Sequence, residues 1–460
     1  MILSVNSFYN SLRKLDASAD KDLKNYFEKT QPIRLLEDFS SNKVLAIGIK
    51  GIGKTAAYRH LTESNEKNTI VIGINWRKYT LYLQNRNLNY SSCQKQFEHD
   101  FIIEALKAVT ENSNKIKSVV SNQLIKMAKA QFTSYKDILK NAAGQFSGIS
   151  ILGFGFTLNK PDTPLLVGLC PENEISAAKK ILQDICRAGV RIRIVIDDPE
   201  LVFSATQDLD THLIGGLFLA AIQLSSEIKN LKIIVLVKTH IHFPIVSTIE
   251  EFDKCPDASI NLSWTKFELI SALEKRIEWT NCNWSDIFAT PEAEARKTLK
   301  NRICSHLRNG PRELLRWCFL AHREAREGKI DLKSIKFSEK EFSKYALNSL
   351  KISFSQLYPK IDEVIKQIFR GEVKKIFRPK EFKVYIEKLL VNNQNMRSLW
   401  TLKWLQSETH YTLPEILFKV GGISFKLKNK IVLPYEKDFR SENFESATSI
   451  FLTPALRSAI

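Results

Sequence analysis

Eight consecutive residues, Gly48-Ile49-Lys50-Gly51-Ile52-Gly53-Lys54-Thr55, fit the spacing G-x-x-x-x-G-K-[ST]. The chemistry such a run supports is the cradling of a polyphosphate. Glycines let the backbone curl until successive N–H groups point inward at phosphate oxygens, and a helix starting behind the loop presents its positive end to the same anion. Lys54 would bridge the β- and γ-phosphates as a compact point charge, and the Thr55 hydroxyl would help to hold Mg²⁺. A nucleotide site also needs a carboxylate that reaches the metal from the end of a neighbouring parallel strand. Asp197 meets that need, because it closes the apolar run Ile194-Val195-Ile196, where an ionised side chain is costly to bury without a cation. Hydrolysis requires a further acid to orient or deprotonate water. Asp198 is the first choice and Glu200 the second, with Pro199 bending the chain between them. Thr239, just beyond the β-branched run Ile233 to Val237, is positioned to bond the γ-phosphate or the water, and Lys238 and His240 compete for that role.

Two further patterns carry chemistry. Gly310-Pro311 delivers Arg312 onto the first turn of a new helix. The helix dipole disfavours an arginine there unless a phosphate neutralises it, which makes Arg312 a candidate nucleotide sensor; the plainer reading is an arginine paired to a surface carboxylate. Between Lys360 and Lys383 stand eight basic residues (Lys360, Lys366, Arg370, Lys374, Lys375, Arg378, Lys380, Lys383) against four acids, interleaved with Phe369, Phe377, Phe382 and Tyr385. Such a stretch is able to follow a DNA or RNA backbone, or to form a solvated face over an aromatic core. His240 and His242 have no further ligand near them in sequence, and the seven cysteines contain no C-x-x-C pair, so neither a zinc site nor a disulfide framework is expected.

The elements that must position these residues are legible in the hydrophobic pattern. Val44 to Ile47 predicts a buried strand leading into the glycine loop, and Ala56 to Leu61 a helix leaving it. Strands are predicted again at Thr69 to Ile74, Arg191 to Ile196 and Ile233 to Val237. A helix over Ile175 to Ala188 ends at Gly189, where a C-terminal cap belongs. The alternation implies an α/β fold with a parallel sheet covered on both faces. Residues 80 to 145 are polar and helical, and Ile149, Ile151, Phe154, Phe156 and Leu158 suggest an inserted hairpin. Thr265 and Glu268 have capping-box spacing ahead of the stripe Leu269, Ile270, Leu273 and Ile277. Gly421-Gly422 predicts a turn between two short apolar elements.

Length and composition bound the rest. A chain of 460 residues, 44% hydrophobic and 26% charged, should hold two to four folded domains. The expected division is an N-terminal helical segment at 1–40, a core at 41–260 with an insertion at about 80–170, a helical lid at 261–336, and a C-terminal domain at 337–460. The formal charge of +18 favours anionic partners. The longest apolar stretches, Leu213 to Leu224 and Ile149 to Leu158, are too short to span a membrane, and no secretory leader is visible. A cytoplasmic protein without membrane association is expected.

In chain order, Gly48 to Ala56 resembles a Walker A loop, Ile194 to Glu200 a Walker B element, Lys238-Thr239 a sensor 1 and Gly310-Pro311-Arg312 a sensor 2. Trp264 to Ile277 is similar to the W-x(4)-L-x(3)-L-x(2)-R-I pattern of a lid. Together with the Phe418 to Phe425 turn and the final Pro454-Ala455-Leu456-Arg457, these motifs resemble the AAA+/STAND-like P-loop ATPases. More narrowly, they resemble the bacterial members with a K-G-x-G-K-[ST]-A loop found among phage-defence genes. Many relatives continue the second motif as Asp-Asp-Leu-Asp, where this chain has Asp197-Asp198-Pro199-Glu200. The resemblance implies a P-loop NTPase sheet, a helical lid and a winged-helix-like C-terminal region, with ATP and Mg²⁺ bound through Gly48 to Ala56, Asp197 and Arg312. It further implies a regulatory switch that assembles as a homo-oligomer and controls an effector protein or a nucleic-acid target. The alternative is a non-enzymatic protein in which nucleotide is a structural ligand and nucleic acid or a scaffold the partner.

Overall fold

Short runs of Val, Ile and Leu without polar alternation belong in strands buried on both faces, and that is how they are used. The fold is that of a computed structural model, which describes residues 2–75, 90–145, 172–199, 211–239, 241–242, 245, 255–308, 310–355, 357–372, 375–406, 413–428, 430–433 and 446–460. The chain forms two compact units. One comprises Gln31–Gly48 and Lys54–Leu262, and the other Met1–Thr30, Ile49–Gly53 and Ser263–Ile460. The division runs through residues 1–40 and sets the regions expected as lid and C-terminal domain in one unit. The hairpin expected at Ile149 to Leu158 lies outside the described residues.

The first unit is built on β1 (Leu45–Gly48), β2 (Thr69–Asn75), β3 (Arg191–Asp197), β4 (Leu231–Lys238) and β5 (Ser259–Asn261), in the order β2-β3-β4-β1-β5 with all pairs parallel. In register, Gly48 stands beside Lys238 and Asp197 beside Leu236, so β4 separates the strand that enters the glycine loop from the strand that ends in Asp197. Two cations interrupt the apolar strands, and both are fully buried. Arg193 donates to Glu66 Oε1 at 3.0 Å and to the Glu37 carbonyl at 2.8 Å. Lys232 donates to the Leu35 carbonyl at 2.8 Å and the Ser41 carbonyl at 3.1 Å, and also to that of Asp38. They satisfy carbonyls at the end of the helix Gln31–Glu37 that no helical N–H reaches, and so fasten that segment to the sheet.

The expected helical insertion contains the helices Tyr90–Glu111 and Asn122–Gln145. The apolar stretch flagged as too short for a membrane forms the buried helix Thr211–Glu227. No helix among the described residues is long and apolar enough to cross a bilayer. Asp100, on the inner face of Tyr90–Glu111, is 4% exposed and accepts a 2.9 Å hydrogen bond from Gln96 Nε2. Burial pushes its carboxyl from the usual 3.8 up to about 8. The folded state therefore holds this proton more tightly than the unfolded chain, unfolding releases it between pH about 4 and 8, and stability falls as pH rises across that window. Asp100→Asn is expected to gain about 1–3 kcal/mol over the wild type at pH 8 and almost nothing at pH 4. Urea melts at the two pH values measure this, and parallel pH profiles would refute it.

In the second unit the helix Lys266–Trp279 begins with the expected capping box, Thr265 and Glu268 each bonding the other's backbone N–H. Arg276 on this helix is 6% exposed. Its guanidinium donates to the Ser11 carbonyl at 2.8 Å and to Asp20 at 3.3 Å, and lies 4.2 Å over the Tyr26 ring. The Tyr26 hydroxyl also bonds Asp20. The N-terminal residues thus supply the counterion and acceptors that a buried guanidinium needs. Arg308 and Glu313, each 1% exposed, form a second buried pair at 3.3 Å, and the backbone N–H of Arg308 donates to Glu313 at 2.6 Å. Arg308 reaches on to the Val420 carbonyl at 3.1 Å. Gly421, at φ 79°, leaves it room, since a Cβ there would lie 2.2 Å from Arg308 Cγ.

The C-terminal part carries the helices Ile361–Phe369, Pro379–Asn392 and Leu413–Lys419 with an antiparallel sheet. The strands are β6 (Ile376–Phe377), β7 (Ile423–Leu427), β8 (Lys430–Val432) and β9 (Ser449–Leu452), ordered β6-β9-β7-β8. The aromatic residues of the basic segment point inward. Phe369, Phe377 and Phe382 are buried and pack on one another, while Lys366, Arg370, Lys375, Arg378, Lys380 and Lys383 are exposed.

Candidate phosphate-binding site

The glycine loop begins where β1, buried along its whole length, runs out at Gly48. Gly51 and Gly53 take φ 92° and 112°, the left-handed region that side chains avoid, and the helix Lys54–Thr62 starts at once. Lys54 lies at the first position of that helix, 6% exposed, and its ammonium folds back to donate to the Gly48 carbonyl at 2.8 Å. Thr55 follows, half-buried. Lysine, backbone amides and helix N-terminus therefore converge on one short loop, an arrangement suited to anions. Ile49, Lys50, Ile52 and Ala56 complete the run, with the Ile52 carbonyl accepting a 2.8 Å hydrogen bond from the Trp264 indole.

Asp197 ends β3 and is 8% exposed. Burial, then the charge of Asp197, pushes the Tyr58 phenol, in the middle of the loop's helix, above its usual range. Gly73 on β2 makes room for that phenol, because a Cβ there would lie 2.6 Å from Tyr58 Oη. Asp198 adopts φ 49° and its carboxylate lies 3.8 Å from Lys238 Nζ at the end of β4. Thr239, half-buried, comes directly after β4. Glu200, His240 and Lys374 lie outside the described residues. Arg312 occupies the second position of the helix Pro311–Arg323 and is half-buried. The donor set fits a hard cation: Thr55 and Asp197 both offer oxygen. Among the described residues, no group of three or more His, Cys, Asp or Glu side chains is arranged to hold a metal.

The pattern of the sequence pointed to the loop and both aspartates. It did not single out Tyr58 as a neighbour of Asp197, or the Arg308–Glu313 pair just ahead of and within the helix Pro311–Arg323. Tyr58 has a visible signal only in hindsight: it falls on the same helix face as Lys54, four residues later. Arg308 and Glu313 are five residues apart, but the reach of Arg308 to Val420 closes over more than a hundred residues, and no local spacing announces it.

A parallel sheet ordered β2-β3-β4-β1-β5, with a glycine loop and helix following β1 and a carboxylate ending β3, is a P-loop NTPase fold. Among solved structures the chain is similar to the Walker-type ATPase of Pyrococcus abyssi, at 14% identity over 89% of this chain and 93% of that one, with a TM-score of 0.41. It is also similar to the ORC1 protein of Aeropyrum pernix in complex with DNA (14% identity, 97% and 96% covered, TM-score 0.37). A third is the ORC2 protein of Aeropyrum pernix in its ADPNP–ADP complexes (10% identity, 93% and 96% covered, TM-score 0.36). No protein-family model and no curated protein matches the chain.

Proposed function

We propose that the protein is an ATP-binding and ATP-hydrolysing switch. The observation that carries this reading is the loop itself: a nearly buried ammonium at Lys54, two left-handed glycines and a helix N-terminus gathered at the end of a central strand. In this reading the ammonium exchanges the Gly48 carbonyl for β- and γ-phosphate oxygens, and the amides of Gly48 to Thr55 receive the remaining charge. Mg²⁺, held by Thr55 and through water by Asp197, would neutralise phosphate charge. Asp198 or Glu200 would orient the attacking water, Thr239 would bond the γ-phosphate or that water, and Arg312 would couple occupancy to the helical region. The resemblance of the loop to those of phage-defence ATPases supports a regulatory role in a bacterial defence system, in an oligomer that controls an effector protein. The C-terminal order of helix, strand, helices and antiparallel strands supports a winged-helix-like output region.

Phosphate release from the pure protein, with and without DNA or RNA, tests the enzyme. Loss of the water-orienting acid is expected to cost about 10²–10⁴-fold in turnover, so Asp198→Asn and Glu200→Gln compared side by side identify which residue serves. One observation favours a second reading. Asp198 faces the Lys238 ammonium, an arrangement that suits a structural ion pair as well as a base. Tight ATP binding with no phosphate release under any condition would support nucleotide as a structural ligand.

The exposed basic residues between Lys366 and Lys383 support contact with nucleic acid. Each lost phosphate contact lowers the slope of log K against log salt by about 0.9 for duplex DNA. Reversing the charge of Lys375 and Lys380 is expected to flatten that slope by about 2. An unchanged slope would remove this surface from consideration.

A further inference from the structure

Trp264 stands directly ahead of the capping box that starts the helix Lys266–Trp279. Its indole N–H donates to the Ile52 carbonyl at 2.8 Å, and its Cζ2 lies 3.8 Å from where a Cβ on Gly53 would sit. The consequence follows from the peptide unit. In a planar trans peptide the C=O and N–H point in opposite directions, so an indole that fixes the Ile52 carbonyl also fixes the N–H of Gly53 on the other side. Gly53, at φ 112°, has no side chain to restrain this plane by itself and is free to flip it. Thr265 and Glu268 hold the start of the helix through reciprocal bonds of 2.7 and 3.1 Å, which makes the indole a rigid support. By its contacts the loop Ile49–Gly53 groups with Ser263–Ile460 rather than with β1, from which it springs.

We propose that Trp264 is a positioning residue of the phosphate loop: it sets the Ile52–Gly53 peptide so that the Gly53 amide is presented to the bound phosphate, and it carries the state of the loop into the helix Lys266–Trp279. The proposal rests on the reading of this loop as a nucleotide site, but the orientation of the peptide is measurable without nucleotide.

Trp264→Phe keeps a ring of similar shape and removes the donor, and Trp264→Tyr serves if the phenylalanine variant is poorly folded. Amide exchange of the peptides covering residues 45–58 in the nucleotide-free protein is expected to speed up in the variant, with the urea midpoint close to wild type. ATP affinity, followed with a fluorescent analogue, is expected to weaken about five- to tenfold, the size of one hydrogen bond. Tryptophan emission of the wild type is expected to change on ATP addition and that of the variant to change less. If the wild type binds ATP and the variant equals it in both affinity and loop exchange, the role of Trp264 is overturned and the nucleotide reading stands. If the wild type binds no ATP while the variant still shows faster loop exchange, the nucleotide reading falls and the fixing of the peptide by Trp264 stands.

Discussion

Lys54→Ala is expected to lower ATP affinity by about 10²–10³-fold. The ammonium is the only side-chain cation within the glycine motif whose position, at the first residue of the helix and folded over Gly48, lets it meet the β- and γ-phosphates. Two charge-assisted hydrogen bonds at about 1.5–2 kcal/mol each give that range. Truncation also removes the hydrogen bond that the buried Gly48 carbonyl accepts in the free protein, with its own cost to folding. Titration with a fluorescent ATP analogue, beside a urea melt of the same preparation, separates the two effects. A variant that folds and binds ATP with undiminished affinity would refute the site, and with it the assignment of Gly48 to Thr55.

Glu313→Ala is expected to destabilise the protein by about 3–5 kcal/mol, because it strands the fully buried Arg308 guanidinium without its counterion. Burial already disfavours the charged form of Arg308, and Glu313 opposes that tendency. Removing both charges together should cost much less than removing one, since the desolvation of the pair disappears with it. The variant Arg308→Met with Glu313→Leu is therefore expected to recover most of the loss. Urea unfolding of the two single variants and the double variant closes a cycle. A loss below about 1 kcal/mol in Glu313→Ala would mean that water reaches the guanidinium, against the exposure of 1% for both partners.

Much of the sheet was legible because its strands are buried on both faces, which compresses them into unbroken apolar runs. Val44 to Ile47, Thr69 to Ile74, Arg191 to Ile196 and Ile233 to Val237 differ from β1 to β4 by a residue or two at their ends. The capping box at Thr265 and Glu268 was legible for a related reason, as its two bonds are made within four residues. What sequence pattern could not supply were the contacts that close over long separations. Arg193 and Lys232 look in sequence like the exposed positions of a strand, and the structure turns both inward to the end of the helix Gln31–Glu37. The aromatic residues among the C-terminal lysines illustrate an ambiguity of pattern. The same spacing serves a stretch that follows a phosphate backbone and a solvated face over an aromatic core, and the structure buries Phe369, Phe377 and Phe382 in such a core. At the site, the loop could be read from motif spacing, whereas Tyr58 acquires a role only once Gly73 of β2 is brought beside it, and Trp264 only once its indole reaches Ile52.

The way the first forty residues are shared out has a practical corollary for anyone engineering the protein. Trimming the gene to start just ahead of β1, in pursuit of a minimal ATPase, would strip Arg276 of Ser11, Asp20 and Tyr26 and at the same stroke deprive Arg193 and Lys232 of the carbonyls they cap. Such a fragment should emerge insoluble, its defect lying in the orphaned Arg276 and Lys232, with Arg193 left to Glu66 alone, and not in the glycine loop.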